Sequence, residues 1–102
     1  MRYIVDIDNT ICATPADNNY PTCIPYLDRI AKVNKLYDDG HTIIYWTARG
    51  SSSGIDWTDL TKQQLDTWGC KYHEVQLKKP SYDIWIDDKA VNSEDYFGQS
   101  AG

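Results

Sequence analysis

Apolar residues are grouped along the chain in two spacings, one typical of buried strands and one typical of helices. The first group is Tyr3-Ile4-Val5, and a run of this composition is typical of a buried strand. Asp6 and Asp8 follow it two residues apart, so both side chains point to one face if the strand stays regular. The alternative is that Asp8-Asn9-Thr10 only begins a turn.

The rest of the chain continues the alternation of strands and helices. A helix is predicted from about Thr22 or Cys23, with Pro25 in its first turn and Gly40 at its end. Further strands are predicted over residues 41–46, 72–76 and 82–86, and further helices from residue 56 or 58 to Gly69 and over residues 92–97. This order predicts an α/β fold, a three-layer α/β sandwich with a mostly parallel central sheet.

Length and charge restrict what such a chain does. With 102 residues we expect one domain over residues 1–97, a frayed tail over 98–102 and no room for an inserted cap domain. The net charge of −5 disfavours a protein that grips nucleic acid, and no apolar run approaches the ~20 residues of a membrane span. The three cysteines have neither a CxxC nor a zinc spacing, which favours a reducing, cytoplasmic location.

Polar side chains stand where three of the predicted strands end, and a lysine, Lys79, lies just before the last of these strands. In an open parallel sheet these ends share one crevice, so we expect the side chains to converge there. Several carboxylates together require a hard cation, and oxygen ligands without histidine favour Mg²⁺. A lysine and a hydroxyl beside them suit a phosphoryl group. The residues concerned are Asp6, Asp8, Thr47, Lys79, Asp87 and Asp88.

Taken in order, these motifs resemble those of a known enzyme superfamily. The motifs are Asp6-Ile7-Asp8-Asn9-Thr10, Thr47-Ala48-Arg49, Lys79-Pro80 and Ile86-Asp87-Asp88. Together they are similar to the four motifs of the haloacid dehalogenase (HAD) superfamily, and especially of its phosphatases. The resemblance covers about Tyr3 to Ala90 and implies a Rossmann-like core.

The resemblance also implies a role for each motif residue. Asp6 would be the nucleophile that forms an aspartyl-phosphate, and Asp8 would be the general acid and then the base. The Thr47 hydroxyl, the Ala48-Arg49 loop and Lys79 would bind the phosphorylated substrate. The implied Mg²⁺ ligands are one Asp6 oxygen, the Asp8 backbone carbonyl and Asp87, with Asp88 either a further ligand or an outer-shell partner.

Three assignments stay open at this point. Lys78 and Lys79 are adjacent, and Lys79 is preferred because the Lys-Pro pair before a strand fits the family pattern better. Arg49 either touches substrate or pairs with an acidic residue. Cys12, close to the acidic motif, is either a thiol nucleophile or, as we prefer, a small packing residue.

The short connections between the motifs predict an open, capless enzyme. Our expected substrate is a small phosphorylated metabolite such as a sugar phosphate, because the negative charge disfavours a polyanion. A neighbouring copy of the chain is one source of a wall for the site. Tyr20, Tyr26 and Trp57 either take part in such a wall or pack in the core. One alternative is a polynucleotide 3′-phosphatase, because the loop from Thr47 to Ser51 resembles the corresponding loop in the phosphatase half of polynucleotide kinase-phosphatases. The other is a non-catalytic metal-binding or regulatory module.

Overall fold

Short strands and three helices alternate along the chain. The computed structural model describes residues 1–50, 54–80 and 82–98. The described elements are β1 Arg2–Val5, β2 Cys12–Ala13, a 3₁₀ helix Tyr20–Thr22, β3 Ile24–Pro25, α1 Leu27–Asp38, β4 Thr42–Trp46, α2 Thr58–Thr67, β5 Glu74–Gln76 and α3 Ser93–Phe97. The predicted tail lies outside these ranges except for Gly98.

A three-stranded parallel sheet forms the centre of the molecule. Its order is β1-β4-β5, and β1 pairs with β4 from Arg2 opposite Thr42 to Val5 opposite Tyr45. The predicted strand–helix–strand unit is therefore confirmed, because α1 connects two adjacent parallel strands. The core packs around this sheet, with buried side chains from β4, both long helices and the turn after β1: Ile7, Ile11, Cys12, Ile30, Val33, Ile43, Tyr45, Leu65 and Cys70.

The first helix begins later than the sequence predicts. Residues 24 and 25 form β3, which pairs antiparallel with β2, so that Ala13 lies opposite Ile24 and Cys12 opposite Pro25. A residue that precedes proline avoids the helical conformation, which keeps Ile24 extended. The helix ends as predicted, since Gly40 adopts a φ of 96° and its N–H donates to the Tyr37 carbonyl.

The predicted strand over residues 82–86 is wrong. No part of that segment is assigned to a strand, and Ile84 and Ile86 are 77% and 93% exposed. The Trp85 ring instead packs edge-on against Trp46, with ring centroids 6.2 Å apart, at the end of β4. Among the described strands β1 has one neighbour, β4, so its other edge is open.

The two later helices are placed by short polar contacts. The Asp56 carboxylate accepts a hydrogen bond from the Thr58 N–H at 2.9 Å where α2 begins, and the Asn92 side chain accepts from the Glu94 N–H at the start of α3. Arg29 links α3 to α1 by an ion pair with Glu94 at 3.0 Å. None of the helices in the described ranges has the length and apolar character that crossing a membrane requires.

Candidate active site

The candidate site is a cleft of about 700 Å³ at the carboxyl ends of the parallel strands. Its walls come from the turn after β1, the loop after β4, the start of α2 and the segment after β5. Asp6, Asp8 and Lys79 from the strand-end argument line it, and so does Arg49, whereas Thr47 does not. The other lining residues are Asn9, Thr14, Asn18, Tyr20, Ala48, Gly50, Ile55, Trp57, Pro80 and Tyr82.

Asp6 and Asp8 both face the cleft because the strand alternation continues beyond the last residue of β1. Ile7 between them is fully buried in the core. Its carbonyl accepts hydrogen bonds from the Thr10 N–H at 3.1 Å and the Ile11 N–H at 3.0 Å, which closes a turn directly after the motif. The same residues therefore form both a turn and a pair of cleft-facing carboxylates.

The Asp6 carboxylate lies beside a lysine. The Lys79 ammonium is 3.7 Å from Asp6 Oδ1, and the Thr10 hydroxyl donates to Asp6 Oδ2 at 3.4 Å. Burial raises the pKa of Asp6 above its ordinary value, while the Lys79 charge opposes this rise. The Asp6 side chain nevertheless remains 34% exposed, which leaves it accessible from the cleft.

Asp8 is held by a fully buried arginine. The Arg49 Nη2 atom donates to Asp8 Oδ1 at 2.8 Å, and its Nε atom donates to both carboxylate oxygens at 3.2 and 3.1 Å. The Thr14 hydroxyl donates to Asp8 Oδ1 at 2.7 Å. Of the two roles considered for Arg49, the structure therefore shows pairing with an acidic residue.

The other side of the Arg49 guanidinium is fixed by α2 and by the loop before β3. Its Nη1 atom donates to the Gln64 Oε1 atom at 2.6 Å and to the Thr61 hydroxyl at 3.2 Å. The Tyr20 ring covers the guanidinium with 4.6 Å between the ring centroid and Cζ. With these contacts the Arg49 side chain is 0% exposed and cannot turn away from Asp8 without breaking several of them.

Thr47 and Gly50 shape the loop after β4. The buried Thr47 hydroxyl donates to Asp8 Oδ2 at 3.4 Å and accepts from the Arg49 N–H at 3.2 Å, so it faces the acidic motif. Gly50 has a φ of 81°, and a side chain there would collide with the Ile55 carbonyl oxygen. Ala48 lines the cleft beside them, and residues 51–53 of the predicted loop lie outside the described ranges.

Of the two adjacent lysines, Lys79 is the one in the cleft. Its backbone N–H donates to the Thr47 carbonyl at 3.1 Å, which fixes it next to the end of β4. Lys78 adopts a φ of 77° and is not among the residues that line the cleft. The Lys79 ammonium also lies over the Tyr82 and Trp85 rings, 5.2 and 5.8 Å from their centroids.

Asp87 and Asp88 are not brought to the cleft. Within the described ranges, no hydrogen bond or ion pair joins either of them to Asp6 or Asp8, and neither lines the cleft. Asp87 accepts hydrogen bonds from the Trp85 ring N–H and the Lys89 backbone N–H instead. Asp87 and Asp88 therefore do not line the cleft with Asp6 and Asp8, and the magnesium ligand set stays a prediction.

The thiol of Cys12 is unsuited to act as a nucleophile. It is fully buried, and burial raises its pKa to about 12. It belongs to the core, as the packing alternative predicts. Three residues that the sequence argument missed do contact the acidic motif or its arginine: Thr14, Thr61 and Gln64. They are ordinary polar residues in a loop and a helix, and no spacing in the sequence singles them out.

Comparisons with known proteins support the fold. The crystal structure of an MCSG target from Vibrio cholerae is similar to this chain, with 26% sequence identity and a TM-score of 0.82 over 98% of this chain and 89% of that one. No family model matches the chain, and no curated protein matches it either. The fold and the cleft thus define an α/β protein with a parallel sheet and a polar site at the carboxyl ends of its strands.

Proposed function

We propose that this chain is a phosphomonoester hydrolase of the HAD superfamily, with a capless three-layer core, that works through an aspartyl-phosphate on Asp6. The observation that carries this proposal is the arrangement around Asp6: a cleft carboxylate with an ammonium 3.7 Å away and a second carboxylate two residues further on. Two separate segments of the chain, one after β1 and one after β5, contribute to this arrangement. It agrees with the motif order that resembles the superfamily.

In the proposed reaction Asp6 attacks the phosphorus of the ester. The bond between phosphorus and the leaving oxygen breaks, and Asp8 gives that oxygen a proton. Water then attacks the phosphorus of the aspartyl-phosphate while Asp8 accepts its proton, which frees phosphate and restores Asp6. Lys79 offsets negative charge on Asp6 and on the phosphoryl group. Arg49 is a positioning residue that orients Asp8.

Mg²⁺ is part of the proposal on the strength of the resemblance. When bound, the ion would neutralise charge on the phosphoryl oxygens. At the acidic motif the predicted ligands are the Asp6 carboxylate, whose side chain is 34% exposed, and the Asp8 backbone carbonyl, while the Asp8 carboxylate accepts hydrogen bonds from Arg49 and Thr14. Asp87 and Asp88 do not line the cleft, so the steps above are derived from the side chains alone.

The proposed substrate is a small phosphorylated metabolite, such as a sugar phosphate, in the cytoplasm. The cleft is wide enough for a sugar phosphate, and the net charge of −5 disfavours a long polyanion. Tyr20 and Trp57 form an edge-on pair at the cleft, with centroids 5.1 Å apart, and offer an aromatic wall for a sugar face. A second copy of the chain would extend this wall if the protein forms oligomers.

Phosphate release from a panel of esters tests the proposal. The panel contains sugar phosphates, nucleoside monophosphates, 3′-phosphorylated oligonucleotides and an activated aryl phosphate, each assayed with Mg²⁺ and with a chelator. We expect release from sugar phosphates that requires Mg²⁺ and is lost in Asp6→Asn but kept in Asp59→Asn, an exposed position at the start of α2. Release that survives in Asp6→Asn, or no release from any ester, would contradict the proposal.

A polynucleotide 3′-phosphatase is the second candidate. The observation that favours it is the same aromatic pair of Tyr20 and Trp57, because a nucleobase stacks on such rings without sequence preference. The panel separates the two candidates. Faster release from 3′-phosphorylated oligonucleotides than from sugar phosphates, with a steep loss at high salt, would favour this second function.

A further inference from the structure

Two cysteines converge on Asp8, one of the carboxylates that line the cleft. The donor atoms of Asp8, Cys12 and Cys23 all lie within 4.8 Å of one another. The antiparallel pairing of β2 with β3 brings the two thiols together, because Cys12 lies in β2 and Cys23 immediately precedes β3. Their separation in sequence fits no zinc motif, so only the fold brings these donors into reach of one another.

The Thr14 hydroxyl contacts all three donor atoms. The Thr14 hydroxyl lies among them, 2.7 Å from Asp8 Oδ1, 3.6 Å from Cys12 Sγ and 3.4 Å from Cys23 Sγ. A tetrahedral ion with Zn–S bonds of about 2.3 Å spaces its ligand atoms about 3.7 Å apart. The Cys23 Sγ atom is 3.9 Å from Asp8 Oδ1, and the remaining donor–donor distances are at most 4.8 Å, so binding contracts the cluster by about 1 Å or less around the Thr14 hydroxyl.

The surroundings suit an ion held by thiolates. Two thiolates and one carboxylate carry three negative charges, which a divalent ion and the Arg49 guanidinium balance. Arg49 is already in place for this, with its Nη2 atom 2.8 Å from Asp8 Oδ1 and 3.6 Å from Cys23 Sγ. A buried donor that hydrogen-bonds to metal ligands orients them and stabilises their charged forms.

We propose that Asp8, Cys12 and Cys23 bind a thiophilic divalent ion, and that this ion is Zn²⁺. The site differs from the proposed magnesium site because thiolates favour Zn²⁺ and not Mg²⁺. Binding replaces the two thiol protons, which pass to solvent, and leaves the fourth ligand position for Thr14 or water. The site goes beyond the proposed hydrolase function, and its occupation would take Asp8 away from proton transfer.

Zn²⁺ titration of the reduced protein in excess Mg²⁺ tests the site, with a chromophoric chelator as competitor. We expect one Zn²⁺ per chain, and with Co²⁺ as a probe we expect a thiolate charge-transfer band. Cys23→Ser and Cys12→Ser should each weaken Zn²⁺ binding at least about 10-fold. Two variants serve as matched controls and should bind like the wild type: Cys70→Ser, which removes a core thiol elsewhere, and Asp6→Asn, which removes a cleft carboxylate outside the cluster.

Three results would overturn the site: no Zn²⁺ binding by the wild type, wild-type affinity in Cys23→Ser, or a larger loss in Asp6→Asn than in the cysteine variants. Cys12 is fully buried, so its variant could fail to fold, but Cys23 is only partly buried and keeps the test decisive. A second measurement is the inhibition of phosphate release by Zn²⁺. Only this measurement depends on the proposed function, whereas Zn²⁺ binding does not. Zn²⁺ binding without phosphate release from any ester would support the site and contradict that function.

Discussion

The charged form of the Asp6 side chain is disfavoured by its surroundings. Its raised pKa means that the folded state binds the proton more tightly than the unfolded state does. This group therefore stabilises the fold below the ordinary carboxyl pKa, and that contribution is lost as the pH rises through the raised pKa. The positive charge of Lys79 reduces the rise in the pKa of Asp6 but does not reverse it.

We therefore expect Asp6→Asn to become more stable relative to the wild type as the pH rises from about 3 to about 7. Asparagine has the same shape and no charge to desolvate. Urea denaturation of both proteins across this range measures the difference in the free energy of unfolding. A difference that is constant with pH, or that grows in favour of the wild type, would contradict the desolvation argument.

The ion pair between Arg49 and Asp8 should contribute far more to stability than an exposed pair of the same length. Arg49→Met leaves the Asp8 carboxylate and the Gln64 and Thr61 side chains without their partner. Removal of one member of a buried pair costs about 3 kcal/mol or more, so we expect a loss of this size in the free energy of unfolding. Urea denaturation measures it.

Lys71→Met is the matched control for Arg49→Met. Lys71 pairs with Asp38 at 2.8 Å, the same distance as the Arg49–Asp8 pair, but both side chains are half exposed. Its loss should cost less than about 1 kcal/mol. Equal losses in the two variants would show that burial does not determine the strength of the Arg49 pair.

The proposed role of Asp8 in proton transfer predicts a dependence on the leaving group. An alkoxide leaves only with a proton, whereas an activated aryl oxide does not need one. Asp8→Asn should therefore lose at least about 100-fold in kcat on a sugar phosphate and less than about 10-fold on an aryl phosphate. Steady-state rates on the two esters test this, and equal losses on both would rule out Asp8 as the general acid.

Among the elements, residues 82–86 depart furthest from the sequence prediction. Within the described ranges their backbone takes part in no regular hydrogen bonding, and Ile84 and Ile86 face solvent. We expect their amides to exchange with deuterium far faster than those of Ile43 and Ile44 in the central strand. Hydrogen-exchange mass spectrometry tests this, and protection equal to that of β4 would mean that the segment pairs with the open edge of β1.

Sequence patterns predicted the elements whose environment is set locally. The helical spacing from Leu27 onwards and the glycine at residue 40 located most of α1 correctly. The prediction failed at Pro25. The sequence predicts this residue in the first turn of the helix, but it lies in β3 and pairs with β2. The prediction also failed at residues 82–86, because their alternation looks like a strand, while the contact of Trp85 with Trp46 is a tertiary feature.

In the cleft, too, the features set by local sequence could be predicted and the tertiary contacts could not. Asp6, Asp8 and Lys79 could be predicted because strand ends meet at one edge of a parallel sheet. The partner of Asp8 could not be chosen, since Arg49 is oriented by Gln64 and Thr61 from a helix that comes later in the chain. Side-chain networks of this kind have no fixed spacing and appear only once the chain is folded.

At the scale of the whole molecule, the cleft is open and its polar groups lie on one rim of the sheet. In the described part of the chain, the segment between Thr47 and Lys79 contains α2 and β5 and no additional domain. In the proposed function, substrate contacts would therefore come from the core itself, chiefly from Lys79 and the aromatic residues Tyr20 and Trp57. The proposed reaction would then depend on Asp6 and Lys79 more than on enclosure of the substrate.

The most direct test of the account is to trap the phosphoryl group on the chain. Asp8→Asn protein is mixed with an activated aryl phosphate and Mg²⁺, quenched with acid, and its peptides are sequenced by mass spectrometry. Because the aryl group leaves without a proton and the base for hydrolysis is absent, the account predicts a phosphoryl group on Asp6. A phosphoryl group on another residue, or none on any peptide, would contradict it.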